Sequence, residues 1–268
     1  MASNTMLTLL FLAAVLGVYY LAPRRARWGI LLAASMIFYM SATPWMLFLV
    51  GTSSCWSWYA GKKIEEAQTL QKKRGWLRGS ILPLLGVLFL FKYFNFFAGG
   101  IASLLALAGF ETDPLVLRLM LPMGLSYYTF KLISYAADIY QGKLKAETHL
   151  GYYLTYTLFF PQIMSGPIER PGSFLSQLRG GPGFDSDLGA EGIQRILLGL
   201  FKKMVIANRL SGYVDTVFAD PGNYPGLAAA LAAFLYSCQL YCDFSGYSDI
   251  AIGMGNLLGI RSRKNFDC

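Results

Sequence analysis

Long apolar stretches separated by short basic punctuation set the plan of this chain. Met6 to Ala22 is the first apolar run, and Pro23, Arg24, Arg25 and Arg27 close it. Trp28 to Ala60 carries no charged side chain. It is too long for a single crossing of roughly 17–25 residues. Thr43-Pro44 divides it into a helical hairpin, because proline drives the residue before it out of the helical region. Lys62 to Arg78 reads as a basic cytoplasmic loop or a short surface helix. Ser80 to Phe97 is the next span, with Lys92 either snorkelling or marking its early end. Ile101 to Phe110 completes a tilted span or lies at the outer interface, and Leu119 to Tyr140 returns, bent near Pro122 and Gly124.

The second half is less regular. Leu150 to Ile168 is uncharged but is interrupted at Pro161 and ended by Ser165-Gly166-Pro167, with Glu169 and Arg170 following as an adjacent ion pair. An apolar helix, a break and an irregular charged segment point to a re-entrant or buried broken helix. Such backbone must be covered by protein or face a polar cavity, which makes Pro167 and Arg170 candidate cavity or supporting residues. Arg179 to Gly189 is a polar loop. Glu191 to Leu210 has the pattern of an amphipathic helix lying on the cytoplasmic side, its apolar face of Ile193, Ile196, Leu197 and Leu200 against the bundle. Asp215 to Pro225 reads as loop or short helices.

Tyr236 to Gly259 concentrates the polar signal. The approach from Gly226 to Cys242 is uncharged and long enough to enter a bilayer, yet the stretch carries Gln239, Asp243 and Asp249. On a helix, Gln239, Asp243 and Tyr247 share one face and Ser245 and Asp249 a second. A carboxylate in such a segment is expensive unless it faces protein or water. These residues, with Tyr241, therefore either line a polar cavity or staple a bundle together. Gly255 and Gly259 have the small-xxx-small spacing that permits close helix contact. Lys131, Tyr135 and Asp138 form another inward stripe, structural or functional. His149 lies in a polar patch at a helix start that Thr148 can cap, so a surface or interface role outweighs catalysis.

Composition agrees with this plan. Of 268 residues, 55% are hydrophobic and 14% charged, against about 25% charged in soluble domains. The class expected is all-α, a polytopic membrane helical bundle with broken or re-entrant segments; continuous apolar runs disfavour a β-barrel. The formal charge of +8 comes from Lys and Arg at the ends of apolar runs, so positive-inside topology and anionic lipid account for it without nucleic acid. That topology places the N-terminus outside, with a retained first helix rather than a signal peptide. Cys238 and Cys242 have too few soft ligands nearby for a metal site, and no metal is expected. No nucleotide loop or dinucleotide fingerprint is present.

Four ordered blocks carry a resemblance: PMGLSYYTFKLISYAADIYQG at Pro122–Gly142, FFPQIMSGPIERP at Phe159–Pro171, GLFKKMVIANRL at Gly199–Leu210 and YCDFSGYSDIAIGMGNLLG at Tyr241–Gly259. The chain resembles the membrane-bound O-acyltransferase family, nearest its bacterial alginate O-acetyltransferase branch, with teichoic-acid D-alanyl transfer proteins as relatives. The resemblance implies transfer of an acyl group from a thioester donor such as acetyl-CoA, not tightly bound, to hydroxyls of an extracytoplasmic polysaccharide. It also implies a bacterial inner-membrane location and partners among other envelope-polysaccharide acetylation proteins. Residues 1–115 would be N-terminal membrane helices, and 116–268 the first and central part of the family core. The family's catalytic His, in a tryptophan- and arginine-rich motif, is expected beyond residue 268, and His149 lies outside the matching blocks. The chain is accordingly expected to be C-terminally truncated and inactive alone. A membrane transporter and an inactive structural partner are the competing readings.

Overall fold

The computed structural model describes residues 5–42, 44–107, 124–163, 166–263 and 265. Among these the chain is all α-helical: α1 Thr5–Leu21, α2 Arg27–Ala42, α3 Pro44–Glu66, α4 Leu70–Lys92, α5 Phe94–Leu107, α6 Leu125–Tyr140, α7 Leu150–Leu158, α8 Pro171–Arg179, α9 Ser186–Leu200, α10 Asn208–Ala219 and α11 Gly226–Leu257. Two of these helices, α4 and α11, are long and apolar enough to cross a membrane, and both turn most of that apolar surface outward. Met6–Leu21 and Phe94–Leu107 are shorter apolar helices. The end of the Ile101–Phe110 reading, the start of the Leu119–Tyr140 reading with Pro122, and Ser165 fall outside the described residues.

The hairpin of α2 and α3 turns where Pro44 required it. Of the two readings of Lys62 to Arg78, a loop or a short surface helix, the structure takes the helical one almost throughout. α3 continues to Glu66 and α4 begins at Leu70, its first turn capped by the Thr69 side chain, which accepts from the Lys72 N–H at 3.4 Å. The charges there support helix rather than loop. Lys63 pairs with Glu66 at 2.7 Å one turn on, and the Lys62 ammonium lies 3.8 Å above the Trp58 ring. Lys92 ends α4, where a cation complements the helix dipole. The loop expected over Arg179–Gly189 also contracts, since Asp185 caps α9 by accepting from the N–H groups of Asp187 and Leu188. Asp215 lies within α10.

One apolar core joins α1–α4 to α6–α8, centred on Tyr19, Leu31, Met46, Ile64, Leu132, Tyr135, Tyr153 and Tyr156. Its phenols are tied by local bonds: the Tyr153 hydroxyl donates to Ser57 Oγ at 2.9 Å, and the Tyr135 hydroxyl accepts from the Glu147 N–H at 2.9 Å. The break after α7 begins at Phe159, runs through a 3₁₀ turn Phe160–Gln162 containing Pro161, and leaves residues 166–170 irregular. Gly124, at φ +73°, stands opposite this break. A Cβ there would meet the Ile163 carbonyl oxygen at 2.5 Å, so only glycine fits.

Helices α9 and α10 form one rod through a π-helical stretch, Phe201–Ala207, and the rod packs antiparallel along α11. Four glycines set their separation. A Cβ on Gly199 would lie 2.5 Å from the Gly246 carbonyl oxygen, and one on Gly253 2.5 Å from that of Gly192. The close contact expected from Gly255 and Gly259 is therefore made by Gly246 and Gly253. Gly259 lies past the helix end at φ +75° and forms its left-handed termination, with the Ile260 N–H returning to the Gly255 carbonyl at 2.9 Å.

Candidate functional site

Along α11 the backbone contacts at Gly246 and Gly253 bracket Asp249, holding its carboxylate against the rod. Asp249 is 8% exposed and receives two cations: Arg195 Nη1 at 3.2 Å and Lys202 Nζ at 2.8 Å. One and a half turns earlier, Asp243 accepts from Lys203 Nζ at 2.6 Å, and that ammonium also lies 3.7 Å above the Tyr247 ring. Glu191 backs Arg195 at 3.2 Å on the same helix. Lys202 and Lys203 are consecutive, which in an α-helix would separate their directions by roughly 100°. The π-helical stretch widens the turn and brings both onto the α11 side, in line with the occurrence of π segments at functional positions.

The amphipathicity expected for Glu191–Leu210 is present, but its sense is reversed. Ile193 is 53% exposed and Leu197 60%, and Phe201, Met204 and Val205 face out with them. The charged positions Arg195, Lys202 and Lys203 face α11, and of the proposed apolar face only Ile196 is buried there. In water this would be inside out. In hydrocarbon it is the cheaper arrangement, because the ions find partners in protein and the side chains outside meet lipid.

The structure brings Asp243, Tyr247 and Asp249 together with the rod's cations. Ser245 is fully buried on the same side, and its Oγ has no hydrogen-bond partner among the described residues. Gln239 sits a turn above Asp243 with its Oε1 likewise unpartnered, while Tyr241 is 45% exposed. A crevice of about 110 Å³ opens at the Arg195 end, lined by Leu188, Glu191, Arg195, Ile252, Asn256, Arg261 and Ser262.

Pro167 and Arg170 belong to a different place. Pro167 is buried in the irregular segment, whereas Arg170 is exposed at the start of α8. Glu169 and Arg170 make no ion pair with each other, because consecutive extended residues point apart. Glu169 turns inward and its Oε1 accepts from the Arg263 N–H at 2.5 Å. Burial pushes its carboxyl above the usual range, against that backbone bond. Beside it lies a polar centre that sequence reasoning did not assemble. Lys131 Nζ donates to Gln162 Oε1 at 2.8 Å and to the Tyr156 carbonyl at 3.3 Å, and Gln162 Nε2 donates to Ser262 Oγ at 2.9 Å. The adjoining cavity, lined by Tyr39, Tyr127, Tyr128 and Lys131 among others, measures about 10 Å³. That is room for about one water and no substrate. Lys131 and Tyr135 are both buried as their stripe predicted.

His149 is itself the cap of α7: its Nδ1 accepts from the Tyr152 N–H at 3.3 Å, the place expected for Thr148. Its ring packs edge-on to Trp28 at 4.9 Å.

Ion pairs turned inward and apolar side chains turned outward define a helical protein of the membrane. The chain is homologous over nearly its whole length to bacterial alginate O-acetylases of the membrane-bound O-acyltransferase family. It is 37% identical to the probable alginate O-acetylase AlgI of Azotobacter vinelandii, over 99% of this chain and 53% of that protein. It is 30% identical to the peptidoglycan O-acetyltransferase of Helicobacter pylori, over 88% of this chain and 49% of that protein. Similarity to the teichoic acid D-alanyltransferase of Bacillus subtilis, 32% identical, covers 54% of this chain and 37% of that one. The chain thus spans about half the length of the alginate O-acetylases it matches. No protein-family profile matches it.

Proposed function

We propose that these residues form the N-terminal and central part of a multi-pass O-acyltransferase of the bacterial inner membrane, moving acetyl from a thioester donor such as acetyl-CoA to hydroxyls of an extracytoplasmic polysaccharide such as alginate. The observation that carries this reading is the similarity to alginate O-acetylases over 98–99% of the chain. The geometry is compatible with it. The α11 face with Asp243, Ser245, Tyr247 and Asp249 is a rigid polar wall, and Gln239 and Ser245 offer unpartnered oxygens along it. In this reading the ion pairs position that wall, while Pro167 is a supporting residue in the separate irregular segment.

Acyl transfer to a sugar hydroxyl needs a base near the attacking oxygen. Asp243 and Asp249 are already committed to ion pairs, with Lys203 and with Arg195 and Lys202. His149 has its Nδ1 committed to capping. We therefore assign none of them the base. These 268 residues alone transfer no acyl group, and the base is a histidine supplied from other sequence. The test is acetyl transfer from labelled acetyl-CoA to de-acetylated alginate in membranes. One preparation carries the 268-residue chain, and a second carries it fused to the part of the A. vinelandii relative that the similarity does not cover. Transfer by the fusion alone agrees with the proposal; transfer by the 268 residues, or none by either under conditions where the intact relative works, contradicts it.

A further inference from the structure

Away from the α9–α11 contact, the turn after α1 faces the loop after α8 across a cleft of about 330 Å³. Arg24, Arg25, Trp28, Tyr152, Leu178, Arg179, Gly180 and Gly181 line it, and no carboxylate is among them. Basic residues after an apolar helix are ordinary at a membrane surface, and scattered cations there need no ligand. Three observations set this group apart.

The first is its shape, since the volume lies at the lower end of the range for small-molecule sites. The second is its construction. Arg179 is oriented by an ion pair to Glu147, whose side chain is buried. The other Glu147 oxygen accepts from the His149 N–H at 2.9 Å, and the His149 ring in turn packs against Trp28 and Tyr152. On the opposite wall Arg27 donates to the Pro182 carbonyl at 2.5 Å and lies 5.1 Å over both the Tyr19 and Tyr20 rings. It fixes the 180–183 loop, which Gly181 turns at φ +63° close to Arg24. The third is uncompensated charge. Arg24 and Arg25 make no ion pair among the described residues, although they are adjacent and share the cleft with Arg179. Guanidinium groups held together without an acid repel one another, and a bound anion relieves this.

We propose that the cleft binds a ligand carrying both a phosphoanhydride and a planar ring, a nucleoside diphosphate in class. Guanidinium forks match phosphate oxygens two at a time, and a pair of free guanidiniums beside an anchored one suits more than one phosphate. Trp28, held at 5.5 Å from Tyr152, supplies with it an aromatic wall on which a base can stack. The proposal stands independently of the acyl-transfer reading, and its test uses no turnover.

The full chain is reconstituted in neutral phosphatidylcholine nanodiscs and titrated with ADP by calorimetry. We expect saturable one-site binding, weakened at least about tenfold in Arg24→Glu/Arg25→Glu and unchanged in Arg78→Ala, an exposed arginine outside the cleft. Arg24 and Arg25 are exposed, so the charge-reversed protein should retain its melting temperature, which is measured alongside. Tyr152→Leu should weaken ADP while leaving inorganic pyrophosphate unaffected. Absence of ADP binding, or binding equally strong in the charge-reversed protein, overturns the proposal. Equal affinity for pyrophosphate and ADP overturns the role of the ring. Loss of ADP binding when phosphatidylglycerol enters the nanodisc assigns the cleft to lipid headgroups and overturns it as well.

Discussion

Substituting Gly253 by alanine tests the α9–α11 contact with a single carbon. The new Cβ would sit 2.5 Å from the Gly192 carbonyl oxygen and 2.7 Å from Ile196 Cγ1. The first of these is backbone and cannot rotate away. Relief to the 3.0 Å that real Cβ contacts almost never breach requires the helices to part by about 0.5 Å. A gap of that size forfeits about a quarter of the dispersion attraction along the seam, and overpacking costs about 1–3 kcal/mol. Alanine also returns about 0.8–1.0 kcal/mol of helix propensity. A matched control isolates the packing cost: Gly86, in α4, has nothing within 4 Å of its Cβ, so Gly86→Ala collects only the propensity gain. The two variants should therefore differ by about 1–3 kcal/mol, or roughly 2–12 °C in melting temperature for a chain of this size. Thermal unfolding of the detergent-solubilised protein, followed by tryptophan fluorescence, reads that difference. Equal melting of Gly253→Ala and Gly86→Ala would refute the account of this seam.

Three further outcomes follow from the same geometry. Asp249→Asn leaves Arg195 and Lys202 facing a neutral group. It should cost about 3–5 kcal/mol as a broken buried pair, somewhat less because these side chains keep partial water contact, and Lys202→Gln added to it should recover part of the loss in a double-mutant unfolding cycle. Tyr153→Phe removes the 2.9 Å bond to Ser57 and should lower stability by about 0.5–1.5 kcal/mol in chemical denaturation. The Leu188 N–H foremost, then that of Asp187 and the Arg261 guanidinium, hold the Asp185 carboxyl below its usual range. A depressed folded-state pKa gives stability that is present above the unfolded value of about 3.9 and is lost as pH falls through the folded value. Melting curves between neutral pH and pH 3 should show this small contribution disappear in acid, and Asp185→Asn, which caps without charge, should flatten it.

Much of this architecture was legible in the residues because proline and period leave little choice. Pro44 had to end a helix, Pro161 had to interrupt one, and the four-residue spacing of Asp243 and Tyr247 put both on one helix face. Their cations were visible as residues but misread in direction. Arg195, Lys202 and Lys203 suggest a helix whose polar side meets water, whereas apolar surroundings reverse the preference and turn them toward Asp243 and Asp249. For Lys62–Arg78 charge density left loop and surface helix both open, and the Lys63–Glu66 and Lys62–Trp58 contacts favour the helix. Lys131, Gln162 and Ser262 could not be joined beforehand, because three distant segments converge there and no local spacing records it.

The central claim is that the rod from α9 to α10 turns its ions to α11 and its apolar side chains to lipid. Spin labels at Leu197→Cys, Val205→Cys and Ser245→Cys, in a background without native cysteines and reconstituted in bilayers, test it through collision with oxygen and with a water-soluble nickel chelate. Strong oxygen and weak chelate collision are expected at 197 and 205, and little of either at 245. Ready access of the chelate to 197 and 205, with lipid-like oxygen access at 245, would contradict it.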